Sequence, residues 1–365
     1  MRVVIVGAGL VGTAVARALA RQGAEVVVIE RGVPGAEASW AAGGILSPQA
    51  ECDSDGPMLR LCLDGLAATR RLANELKAEL GGLGNVGLIE GGTLDVAVTD
   101  EEARALRHRV QWQQAAGLQA TWLDPAGVKS VAGVIGDVVG GAFFPTEASL
   151  DPRLLFEALR GSATNAGARF VQHFVRRVTG QSVVVDHDGR DEVIAGDVVV
   201  VCAGAWTPQV AGTDIDADAI FPVHGQMVEV DGRAGAFDAV VYGRGGYVVP
   251  RGDGRVVAGS TMERQGFQKG VTVGGLAKVL SMVGALVPSL QTATVRSSWA
   301  GLRPGSRDGL PLLGQQSSGL WLASGHFRNG VLLAAISGER LAGALLRQEP
   351  IDDAFSPRRF SRPPC

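Results

Sequence analysis

In "WAGLRPGSRDG", Trp299 to Gly309, Arg303 stands between a Gly-Leu step and a Pro-Gly turn, directly after the strand-like run "TATVRSSW". An arginine held by such backbone is either a solvated loop residue or a fixed cation aimed at an anion. The second is chemically useful, because a planar guanidinium grips a carboxylate through two parallel hydrogen bonds and orients it. The chain's two tyrosines, Tyr242 and Tyr247, fall together in "VVYGRGGYVVP". A strand tyrosine either fills a core or carries its hydroxyl to a polar partner. The five histidines show no metal-ligand spacing, so no metal site is expected. No His–Asp or paired-carboxylate signature marks a side-chain general base.

A cofactor signal occupies the first thirty residues. "RVVIVGAGLVGTAVARALARQGAEVVVIE" reads as strand, turn, helix, strand. Val3 to Val6 is the unbroken apolar run of a parallel strand buried on both faces. Gly7, Gly9 and Gly12 form G-x-G-x-x-G, which gives a tight turn, a close approach of backbone to a pyrophosphate, and close helix–strand packing. The helix runs from Leu10 to Arg21, and the free N–H groups of its first turn, with Leu10 and Val11, favour phosphate. Gly23 stops it. Glu30 closes the second strand, placed to accept hydrogen bonds from ribose hydroxyls, with Arg31 beside it. Together these residues indicate a dinucleotide without separating NAD from FAD.

Three further segments bear on that choice. In "SWAAGGILSPQAE" the small residues Ser39, Ala41, Ala42, Gly43 and Gly44 would let backbone N–H groups approach a second face of the cofactor. "GDVVVVCAGAWTPQV" is a buried strand ending near Ala203, Gly204 and Trp206, with Cys202 expected in the core. Near the C-terminus, Leu320 to Ala323 reads as a strand, and a glycine-bracketed turn follows through His326, Phe327, Arg328, Asn329 and Gly330. A helix then begins at about Val331. This second helix N-terminus suits a polarised ring carbonyl. Nicotinamide dehydrogenases do not need the C-terminus to return to the cofactor.

The elements that must position these residues need a sizeable protein. With 365 residues, 46% hydrophobic and 19% charged, the chain is globular and longer than one compact core usually holds, so two domains or one elaborated fold is expected. A net charge of −3 without a basic block gives no reason to expect nucleic acid or a membrane surface. No apolar segment is long enough to span a bilayer. The opening mimics a secretory leader, yet its glycines interrupt the apolar run at dinucleotide spacing. Cys52, Cys62, Cys202 and Cys365 form no CxxC pair, so a reduced cytoplasm is expected. Residues 91–99, 221–231 and 247–262 read as strands, the last a hairpin around 252–254. "SLDPRLLFEALRGSATNAGA" reads as a helix capped by Asp151, with Pro152 at its first position. No repeat or linker appears, so the domains are expected to interleave.

In order along nearly the whole chain, the N-terminal fingerprint, "SWAAGG", "VVCAGAW", "WAGLRPGSRDGLPLLG" and "GHFRNG" resemble the D-amino-acid oxidase family of FAD-dependent oxidoreductases, and within it the glycine oxidases. The resemblance implies an α/β fold, α+β overall. A Rossmann-type FAD-binding domain (1–85, 145–215 and 297–365) interleaves with a substrate-binding domain (86–144 and 216–296) built on a mixed, largely antiparallel sheet. It implies non-covalent FAD held by the positions named above, with Arg303 also beside the cofactor. It assigns catalytic roles to Arg303, which pairs with the substrate carboxylate, to Tyr247, whose hydroxyl joins it there, and to Arg328 at the mouth of the site. His326 is read as structural.

The implied reaction oxidises a small amino acid (glycine, sarcosine or a small D-amino acid) to a 2-oxo acid plus ammonia or amine. O2 takes the electrons and becomes hydrogen peroxide. A place in thiamine biosynthesis and a homo-oligomer, tetrameric in many relatives, go with the resemblance. Gly245 and Gly246, together with Ile45, depart from the expected pattern and leave room for sarcosine, N-ethylglycine or D-alanine. Two rival readings stand beside this one. The first is an amino-acid dehydrogenase of the same fold that passes electrons to a quinone or a protein. The second is a non-catalytic dinucleotide-binding sensor, which would need no carboxylate clamp.

Overall fold

The structure is a computed structural model in which residues 1–133, 135–232 and 237–361 are described. The dinucleotide fingerprint lies at the centre of a six-stranded sheet, in the order Leu312–Ser317, Leu320–Ser324, Val198–Val201, Arg2–Val6, Glu25–Glu30 and Arg169–Gln172. All neighbours are parallel except the first pair. Val3, Val4, Ile5, Val26 and Val28 are fully buried, as central parallel strands with both faces covered must be. One face packs on the helices Leu10–Ala20, Pro57–Leu80, Pro152–Asn165 and Gly330–Arg347. The other face packs on a three-stranded antiparallel sheet, Phe174–Val178, Ser182–His187 and Arg190–Ala195, through Val178, Val183 and Val185. Asp151 caps the Pro152–Asn165 helix as its sequence indicates, accepting from the N–H groups of Arg153 at 2.9 Å and Leu154 at 3.4 Å.

The second large sheet has eight strands, in the order Val295–Ser306, Ile220–Asp231, Arg255–Gly259, Gly246–Pro250, Val240–Gly243, Thr93–Ala97, Gly140–Phe144 and Thr121–Leu123. It is antiparallel throughout except where Val240–Gly243 meets Thr93–Ala97. The fold is therefore the mixed α/β architecture that the sequence implies. The expected 247–262 hairpin resolves into Gly246–Pro250 and Arg255–Gly259. Among the described residues no helix is long and apolar enough to cross a membrane.

Arg303 lies elsewhere than its neighbours in sequence suggest. A Pro-Gly turn is expected after it, yet Val295–Ser306 is one strand of 12 residues, and Pro304 faces Pro222 across the ladder. Proline lacks an N–H, so a sheet accepts it at an edge, and Val295–Ser306 is an edge strand. Arg303 is thus stiffened by cross-strand pairing along Ile220–Asp231, and no turn is involved.

Candidate active site

A cavity of about 710 Å³ opens between the six-stranded and eight-stranded sheets. At one end stands the fingerprint. Gly7 has φ +104, and a Cβ there would fall 2.5 Å from the Cys202 carbonyl oxygen, so only glycine makes this turn. Glu30 holds the turn from the next strand: its carboxylate accepts from the Ala8 N–H at 3.0 Å and the Gly32 N–H at 3.1 Å. Gly9, at the N-cap of the Leu10–Ala20 helix, brings no side-chain acceptor, which leaves first-turn donors for an anion. The Ser39 hydroxyl accepts from the Leu10 N–H at 2.9 Å. Arg31 lies over the Trp206 ring, 4.1 Å from its centroid.

The cavity wall includes Gly7, Gly9, Leu10, Val11, Glu30 and Arg31; Ser39, Ala41, Ala42, Gly43 and Gly44; Ala203, Gly204 and Trp206; and the run His326 to Val331. Gly12 is the exception. A Cβ at Gly12 would sit 2.0 Å from the Gly7 carbonyl oxygen, so this glycine serves helix–strand contact and stays off the wall.

At the other end stands Arg303. Its Nη2 donates to the Ser260 hydroxyl at 2.7 Å, and among the described residues no carboxylate pairs with it. It crosses the bare backbone of Gly225, where a Cβ would lie 1.9 Å from Nη1. Tyr247 lines the same wall, its ring against Gly43 and its hydroxyl 3.3 Å from the Met227 sulfur. Arg328 also reaches the wall but is already neutralised: its Nε lies 2.7 Å from Glu51 Oε2. The other oxygen of Glu51 accepts the Tyr242 hydroxyl. Asp95 is further along, its carboxyl pushed up to about 6 by burial against the opposing pull of Arg109 at 3.2 Å. His326 is fully buried and bonded to the Ser337 hydroxyl at 2.9 Å. Burial holds its imidazole down at about 4, so it is neutral near pH 7 and already engaged.

Glu51, Ser260 and Gly225 are absent from the sequence reading. Their partners lie far away in the chain, and no local spacing marks them. The two glycines before Tyr247 separate in role. Gly245 sits in a two-residue hairpin turn with Arg244, both at positive φ, and a side chain there would meet open space. A Cβ at Gly246 would fall 2.6 Å from the Gly259 carbonyl oxygen, so that residue answers to strand packing and adds no substrate room. Ile45 lines the wall.

The donor set fits FAD. A helix N-terminus whose N-cap Gly9 offers no side chain, with close-approach glycines, suits a pyrophosphate, Glu30 suits a ribose, and the small-residue wall Ala41–Gly44 with the Gly330–Arg347 helix start suits a flat ring system. A family profile described as DAO, FAD dependent oxidoreductase, matches residues 2–344. The glycine oxidase of Geobacillus kaustophilus is 32% identical over 360 residues, covering 96% of this chain and 94% of that one. The bifunctional protein ThiO/ThiG of Synechocystis sp. is 32% identical, covering 98% of this chain and 54% of its own length. The crystal structure of the Geobacillus kaustophilus glycine oxidase superposes with a TM-score of 0.92 at 31% identity, covering 100% of both chains.

Proposed function

The chain belongs to the DAO family of FAD-dependent oxidoreductases and is an FAD-dependent amino-acid oxidase. From that premise we propose that it oxidises the α-amine of a small amino acid, glycine or sarcosine first, to the imine, which water hydrolyses to a 2-oxo acid with release of ammonia or amine. O2 accepts the electrons and leaves as hydrogen peroxide. The observation that carries this reading is the charge balance of the wall: Arg328 is paired with Glu51, while Arg303 keeps its charge for a ligand. Arg244, also on the wall and also without a carboxylate among the described residues, donates to the Asp137 carbonyl from an exposed hairpin turn, which leaves Arg303, beside Tyr247, as the guanidinium placed for a substrate carboxylate.

FAD, when bound, supplies the acceptor for the α-hydrogen and hands the electrons on to oxygen. The chain's own residues do the rest. Arg303, steadied by Ser260, clamps the carboxylate, and the Tyr247 hydroxyl gives up its weak sulfur contact to donate there. That orients the Cα–H bond and lowers the entropic cost of reaction. The amine reacts as the free base; His326, neutral and bonded to Ser337, takes no part in its deprotonation. We assign the FAD-binding domain to 1–85, 145–215 and 297–365 and the substrate domain to 86–144 and 216–296; residues 134, 233–236 and 362–365 lie outside those described, and the strand Val295–Ser306, which the boundary at 297 divides, pairs within the eight-stranded sheet. We further assign a place in thiamine biosynthesis, a cytoplasmic location and a homo-oligomeric state.

A peroxide assay across glycine, sarcosine, D-alanine and D-proline tests the reaction. Turnover with at least one of them, with peroxide equal to substrate consumed, is expected. Flavin reduced by substrate without peroxide, but reoxidised by an added quinone, would identify a dehydrogenase instead.

The FAD is expected to be non-covalent. Among the described residues the one cysteine on the wall, Cys202, packs against Gly12 at the phosphate end, and burial pushes its thiol up. Acid precipitation should therefore leave the yellow colour in the supernatant; a yellow pellet would refute this.

A further inference from the structure

The Trp40–Gly44 loop is held from behind. Arg153 Nε–H donates to the Trp40 carbonyl at 3.3 Å, Trp299 Nε1–H to the Ala41 carbonyl at 3.0 Å, and Arg251 Nη2–H to the Gly43 carbonyl at 2.9 Å. The second arm of Arg251 takes the Leu150 carbonyl at 3.0 Å, and the Leu150 N–H donates to the Gly44 carbonyl at 2.9 Å. In a trans peptide the C=O and the following N–H point in opposite directions. Pinning the carbonyls of Ala41 and Gly43 therefore aims the N–H groups of Ala42 and Gly44 away from Trp299 and Arg251. Neither N–H finds a protein acceptor among the described residues, and both residues line the cavity.

Arg251 is an unusual choice for a pin. Its side chain is 5% exposed, its nearest carboxylate is Asp151 at 3.9 Å, and its Nε has no hydrogen-bond partner. Asp151 is meanwhile shared with Arg255 at 3.2 Å and with the helix it caps. A buried guanidinium so loosely paired contributes little to stability. Burial brings it down only to about 10, so it remains a cation at neutral pH.

We propose that Arg251 is a positioning residue for the cofactor: from behind the loop it fixes the Gly43–Gly44 peptide plane, so that the Gly44 N–H faces the flavin as a donor, and it sets a buried positive charge on that side. Trp299 does the same for the Ala41–Ala42 peptide and the Ala42 N–H. The assignment rests on FAD occupying this cavity with its ring system against the loop. Because Gly43 also abuts the Tyr247 ring, the same pins keep the loop in register with the substrate wall.

The test is titration of apoprotein with FAD, followed by measurement of the bound flavin's reduction potential. Arg251→Met should raise the FAD Kd by about tenfold, the equivalent of one buried hydrogen bond, and lower the potential, since reduced flavin is the more negative form. Arg251→Lys should recover the potential but only part of the affinity. Trp299→Phe, which removes one N–H and keeps an aromatic ring, should raise the Kd severalfold in apoprotein that still melts cooperatively, and it carries the test if Arg251→Met fails to fold. A Kd within twofold of wild type and an unchanged potential in the folded variants would overturn the proposal. Wild-type apoprotein that takes up no FAD would overturn the premise as well.

Discussion

Arg303→Ala is expected to retain FAD and a near wild-type melting temperature while losing roughly a hundredfold to several-thousandfold in kcat/KM for its amino-acid substrate. The size follows from the chemistry. A substrate carboxylate buried without its cation costs about 3–5 kcal/mol. The retention follows from the surroundings: Arg303 has the Ser260 hydroxyl as its close partner and, among the described residues, no carboxylate, so truncation strands no buried anion among them in the free enzyme. Arg303→Lys should recover only part of the loss, because an ammonium cannot reproduce two parallel N–H donors. Steady-state kinetics on the best substrate decide the matter. If Arg303→Ala stays within about threefold of wild type, a difference well under 1 kcal/mol, the residue does not clamp the carboxylate.

Sequence and structure agree most closely where the signal is local. Residues 2–30 carry strand, turn, helix and strand in one register, and each step has a short-range cause: unbroken valines, spaced glycines, a terminal acid. The same holds for the Asp151 cap and the hairpin around 252–254. Contacts between distant residues left no comparable trace. Nothing in "QAEC" announces that Glu51 will meet Arg328 and Tyr242, and nothing in "VHGQM" announces that Gly225 clears a path for Arg303. Glycine in a strand has many causes, and only the neighbour selects among them. Pro304-Gly305 misled for a related reason. A Pro-Gly pair reads as a turn unless the strand is known to lie at a sheet edge, and edge position is a property of the assembled sheet.

The Gly225 contact yields a second large effect that reaches Arg303 without altering it. A Cβ at position 225 would sit 1.9 Å from Nη1, 2.6 Å from Cζ and 2.7 Å from Nη2 of Arg303. The obstructed atoms are the far end of a long side chain, so the guanidinium can swing aside while the strand pairing of Ile220–Asp231 persists. Gly225→Ala should therefore fold, keep its flavin, and lose roughly ten- to a hundredfold in kcat/KM, since a guanidinium moved by an ångström or more forfeits the paired hydrogen bonds and the bond to Ser260. Gly225→Val should lose more. The loss should appear largely in KM at first, because capture of the carboxylate is what the displaced cation no longer does. The double variant supplies the decisive comparison. If Gly225→Ala acts through Arg303, adding it to Arg303→Ala should cost almost nothing further, because the group it displaces is gone. A double variant as poor as the two single losses multiplied together would show that Gly225 matters for another reason, and that the guanidinium's path across it is incidental.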